Sequence, residues 1–89
     1  MTIKRAHSKP LGEVKESVEM IATEMQSQLG INYSWEGHHL VFSGTGVKGN
    51  IAVSETEVAV TVKKSFFVPV SDSAIREKVE SYLDDHLNE

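Results

Sequence analysis

An α+β fold, one antiparallel sheet with two helices packed on one of its faces, is predicted by three features of the 89-residue chain. Apolar residues recur at spacings of three and four near both ends, as on an amphipathic helix. Through the middle they alternate with polar ones, as on half-buried strands, and short turn signals separate the successive runs. Strands joined in this way form an antiparallel meander of four, or five if residues 3–7 add an edge, in the order β-α-β-β-β-β-α.

Taken in order, Ile3 to His7 is the candidate edge strand. Between Pro10 and Leu29, the apolar stripe Leu11, Val14, Val18, Ile21, Met25 and Leu29 predicts the first helix, with Ser8 as N-cap, Pro10 in the first turn and Gly30 as the stop. Glu13, Lys15, Glu16, Glu19, Thr23 and Gln26 lie off the stripe and read as solvated surface. Ile31, Tyr33 and Trp35 then alternate with Asn32, Ser34 and Glu36. A turn at Glu36-Gly37-His38 leads to a strand carrying Leu40 and Phe42, so residues 31–43 form a hairpin.

Val47, Gly49, Ile51 and Val53 mark the next strand, and the turn at 54–57 leads to Val58, Val60 and Val62. The opposite parity holds Asn32, Ser34, His39, Val41, Ser43, Lys48, Asn50, Ala52, Ala59, Thr61 and Lys63, mostly polar or small. That face meets water, and the apolar face takes both helices, with Trp35 expected between sheet and helices. Ser71-Asp72-Ser73 supplies N-caps for a second helix whose Ile75, Val79, Tyr82 or Leu83, and Leu87 fall on one side.

Eighty-nine residues are expected to make a single domain spanning 1–89, since two cores would each approach the lower size limit for independent folding. With no cysteine, disulfides, thiol catalysis and thiolate metal sites are excluded. The first residues lack the apolar core of a signal peptide and no segment is long and apolar enough to span a bilayer, so a cytoplasmic location is expected. Net charge is −4, both predicted helices are acidic, and basic clusters are limited to Lys4, Arg5 and Lys9 and to Lys63-Lys64. Nucleic acid is therefore not an expected partner, because phosphate neutralisation needs a basic face.

The string GTGVKG at 44–49 satisfies G-x-G-x-x-G, yet it leads into an alternating strand rather than a helix N-terminus and lacks a surrounding βαβ unit. It is predicted to bind no nucleotide: Gly44 and Gly46 turn one strand into the next, and Gly49 permits a bulge or the close approach of a helix. His38 and His39 are adjacent and project in different directions, so no metal site is assigned. His7 is expected to hydrogen-bond near the start of the first helix. Asp84 and Asp85 diverge by about 100° around a helix and form no acid/base pair. No catalytic residue and no cofactor are expected, and the chain reads as a binding protein rather than an enzyme.

"KKSFFVPV" at 63–70 leaves two readings open. Phe66 and Phe67 point to opposite faces of an extended chain, so one continues the valine row into the core while the other is displayed. Either a bulge or helix lid buries both, or Phe67, Val68, Pro69 and Val70 form an interaction patch flanked by Lys63 and Lys64.

The His7-Ser8 start, the helix entered by Leu11 and Glu13, and "YSWEGHHLVFSGTGVKGNIAV" at 33–53 together resemble the polyhydroxyalkanoic acid system proteins, short bacterial proteins encoded among genes for making, using or coating polyester storage granules. His7, Tyr33, Trp35, Glu36, Gly37, Leu40, Phe42, Gly46, Val47 and Gly49 match the family pattern as positions without an assigned role. The resemblance implies a context of polyhydroxyalkanoate metabolism and carries over no catalytic residue. Two functions follow as expectations. One is a small adaptor that docks on a polyhydroxyalkanoate granule, a granule-associated protein or a second copy of the chain as a homodimer, through the Phe66 to Val70 region. The other is a ligand-binding or enzymatic domain that takes an acyl or hydroxyacyl compound in a pocket lined by Trp35, Tyr33 and His7.

Overall fold

The computed structural model describes residues 1–44, 46–64 and 71–87. The elements run β1 (Thr2–Ala6), α1 (Leu11–Leu29), β2 (Asn32–Glu36), β3 (His39–Gly44), β4 (Val47–Val53), β5 (Glu57–Lys64) and α2 (Asp72–Leu87). The five strands form one sheet in the order β1-β5-β4-β3-β2, every pairing antiparallel. The residue 3–7 edge strand thus forms, one position earlier than its apolar pattern suggests, and closes the meander by pairing with β5 rather than β2.

Register turns the sequence alternation into rows across the sheet. Ile3 stands opposite Val60, Val60 opposite Ile51, Ile51 opposite Leu40 and Leu40 opposite Trp35. The first four are buried and Trp35, on edge strand β2, is half-buried because no further strand covers its outer side. The expectation that Trp35 lies under the helices therefore holds only for its inner side. Its ring packs against the core while the Lys15 ammonium stands 5.1 Å from its centroid.

The helices cover this inner face. From α1 come Val14, Val18, Ile21, Ala22 and Met25, and from α2 Val79, Tyr82, Leu83 and Leu87. The opposite face carries no helix among the described residues, as its polar and small parity predicts.

Local chemistry accounts for the turns. Gly37 adopts φ 63° while no non-glycine among the described residues has positive φ, the pattern of a two-residue hairpin turn with glycine first, between paired Glu36 and His39. Gly30 ends α1 in the left-handed region at φ 69°, and its N–H donates to the Gln26 carbonyl. At the other end the N-cap position falls on Pro10, which offers no side-chain cap, rather than on Ser8. Proline's fixed φ and missing N–H suit that flank. Ser71 does cap α2: its Oγ accepts from the Ala74 N–H at 3.1 Å.

Candidate functional site

An apolar cleft opens where the C-terminal end of α1, the first turns of α2 and the ends of the inner strands meet. Its volume is about 260 Å³. Helix α1 contributes Met25 and Leu29, and the αL turn at Gly30 sends Ile31 back into the same wall. The floor is Phe42, Val47 and Val62, with Lys64 at the end of β5. Across from α1, helix α2 supplies Ala74, Ile75, Lys78, Val79 and Tyr82, spacings that put one side of a helix against the opening. Leu29, at 53% exposure, is among the most exposed large apolar side chains of the described residues.

Polar groups sit at the margin. The Lys64 ammonium is 3.3 Å from a carboxylate oxygen of Asp72, tying the end of β5 to the start of α2. The Lys78 ammonium lies 5.1 Å from the centre of the Tyr82 ring. The Tyr82 hydroxyl donates to Gln28 Oε1 at 2.7 Å, joining the two helices. Burial, and then the nearby Glu24 carboxylate, raise the pKa of this phenol above its ordinary value of 10.0, so the hydroxyl remains a donor at neutral pH. One turn further along α2, His86 Nε2 lies 3.1 Å from Glu24 Oε1, outside hydrogen-bonding geometry.

The residues singled out by sequence do not converge on this cleft. Lys63 and Lys64 are neighbours on β5 and project to opposite sides: Lys63 sits with Ser43 and Lys48 on the open face, Lys64 on the cleft margin. Both nevertheless border one shallow depression at the β3–β4 turn, with Ser43, Gly46 and Lys48. Phe66, Phe67, Val68, Pro69 and Val70 lie outside the described residues. His7 is buried beyond β1, where its Nδ1 accepts from the Lys9 N–H at 3.1 Å and its Nε2 lies 2.8 Å from the Ser54 carbonyl. An imidazole that accepts at Nδ1 and faces a carbonyl with Nε2 is a neutral Nε2–H tautomer, a clamp between the entry to α1 and the β4–β5 turn.

Tyr33 and Trp35 stand on β2, the opposite edge of the sheet from β1. A pocket lined jointly by Trp35, Tyr33 and His7 is thereby ruled out. The Tyr33 hydroxyl is 3.4 Å from Thr23 Oγ1, and the Gly37 carbonyl accepts from Lys15 at 3.3 Å, so this end of the family pattern ties β2 and its turn to α1. Glu36 is exposed at the hairpin, His38 lies in its turn and His39 faces the open side. Gly46, at φ 76°, turns β3 into β4, and no helix follows it.

Gly49 has a sharper reason than the expected helix approach. A Cβ there would collide with the Thr61 carbonyl oxygen of the adjacent strand and come within 2.8 Å of the Phe42 ring. Asp84 accepts from Arg5 at 2.9 Å, an exposed contact between α2 and β1. Among the described residues no group of three or more His, Asp or Glu side chains is placed to hold a metal, and no helix is long and apolar enough to cross a membrane.

The family-pattern glycines, aromatics and His7 thus all have structural tasks. Residues 1–87 match the family described as "Putative polyhydroxyalkanoic acid system protein". The chain belongs to this family. No curated protein and no solved structure matches it. For this polyhydroxyalkanoic acid system protein, the cleft was missed in the sequence because its lining is spread over both helices and three strands. Its one local signal was Leu29, an apolar residue at a helix terminus flanked by Gln28 and Gly30.

Proposed function

We propose that this polyhydroxyalkanoic acid system protein is a small binding protein that holds hydroxyacyl chains in the cleft between α1, α2 and the sheet, and so acts at the storage granule. The observation that carries the reading is the cleft itself, walled by apolar side chains from three parts of the fold with cationic and phenolic groups only at its margin. Catalysis would need converging nucleophile, base or acid groups, and the described lining offers neither carboxylate nor imidazole. At about 0.8 kcal/mol per buried methylene, sequestering five methylenes contributes about 4 kcal/mol, a millimolar interaction for one chain that repetition on a polymer surface strengthens.

Co-sedimentation with polyhydroxyalkanoate granules tests this reading. Ile75 is half-buried and packs against the core at the cleft, so Ile75→Asp is expected to abolish sedimentation with granules and to lower the melting temperature while the protein stays folded at the assay temperature. Val41→Asp, on the open face, is expected to sediment like the parent protein. The stretch Phe67 to Val70 connects β5 to α2 in sequence and stays within the proposal as a second contact, with Phe67→Ser expected to weaken the same association. Granule binding that survives Ile75→Asp would overturn the assignment to the cleft.

A further inference from the structure

We infer that the cleft selects hydroxyacyl chains ending in a free carboxylate, with the tail between the helices and the carboxylate at Lys78. The inference rests on the binding reading above and concerns which part of the polyester the site takes.

Charge at the opening is the first observation. The described lining contains two ammonium groups and no carboxylate, although α2, which provides one of them, is acidic overall. Lys64 is already engaged by Asp72 at 3.3 Å, so its charge is largely committed to holding β5 against α2. Lys78 is placed differently. Its ammonium stands over the Tyr82 ring, 5.1 Å from the centroid, and both residues line the opening. An apolar slot with a cation on its margin is complementary to an amphiphilic anion, since the tail leaves water while the carboxylate stays at the surface beside its counter-charge.

Size is the second. The cleft, about 260 Å³, has room for a chain of medium length. An internal unit of the polyester offers two neutral esters and no charge. The carboxyl end of a polyester chain and the free hydroxyacid both offer the complete pattern.

The test compares 3-hydroxyoctanoate with its methyl ester by NMR titration at low and high salt, using the parent protein, Lys78→Met and, as a control on the opposite sheet face, Lys63→Met. An exposed ion pair predicts that the acid binds about two- to fivefold more tightly than the ester at low salt, a difference that shrinks as salt screens the charge. Lys78→Met should erase the preference, so that acid and ester bind alike at both salt concentrations, while Lys63→Met should preserve it.

A granule competition arm identifies the source. Displacement of the protein from granules by 3-hydroxyoctanoate means that the cleft takes polymer chain ends, and acid preference without displacement makes the free acid the ligand. Equal affinity of acid and ester at low salt overturns the inference while leaving granule binding through the cleft intact. So does a Lys78→Met protein that loses acid and ester binding in equal measure, since Lys78 would then only shape the cleft. Failure of the parent protein to sediment with granules overturns the earlier reading instead.

Discussion

His7 and Gly49 carry their weight through what surrounds them. Both ring nitrogens of His7 are used, one toward the Lys9 N–H and one toward the Ser54 carbonyl, in a site only 8% exposed. His7→Ala leaves these backbone groups without their partner, so a loss of about 1–3 kcal/mol is expected in urea unfolding. An unchanged midpoint would mean that water replaces the ring at no cost. Gly49 is a matter of space: Gly49→Ala sets a methyl group against the Thr61 backbone and the Phe42 ring and should cost about 1–3 kcal/mol or more. Gly12→Ala is the counterpart, since a Cβ there meets nothing within 4 Å and stiffens the unfolded chain, and it should stabilise by about 0.4–1 kcal/mol. Equal effects of the two substitutions would refute the packing argument. Trp35 belongs to the same scale. Half-exposed on an edge strand, it should cost less on truncation to alanine than the ~3–5 kcal/mol of a fully buried aromatic.

At the level of elements, the seam between α1 and α2 has a pH signature. The Tyr82 pKa is raised above 10.0 in the folded protein by burial and by Glu24. The unfolded chain therefore loses this proton first, and the stability linked to the neutral phenol, complete below pH 10, declines as pH rises through the folded value. Urea unfolding of Tyr82→Phe should show a shallower loss of stability above pH 10 than the parent protein. Identical slopes would place the alkaline sensitivity elsewhere. These elements were legible in the sequence because each writes its period locally: Leu11 to Leu29 at helical spacing, and Ile31 to Val62 at spacing two, with Gly30, Gly37 and Gly46 at the breaks. The pairing of β1 with β5 was not, since strand neighbours distant in sequence leave no local mark. Ser8 looked like a cap by residue type, yet Pro10 holds that flank.

Across the described residues, the fold separates a helix-covered face from an open one, and the cleft lies where their cover of the inner face is incomplete. Beyond Leu29 nothing in the sequence announced this opening, because Met25, Ile31, Phe42, Val62 and Val79 read there as ordinary core, and a gap between them is a property of how two helices sit on one sheet. The account's central claim is that hydroxyacyl chains enter at this place. The most direct test is a backbone-resolved NMR titration with 3-hydroxyoctanoate. Saturable shifts are predicted at Leu29, Ile31, Val47, Ile75 and Val79, with Asn50, Ala52 and Ala59 on the open face unmoved. Shifts confined to the open face, or none at millimolar ligand, would contradict it.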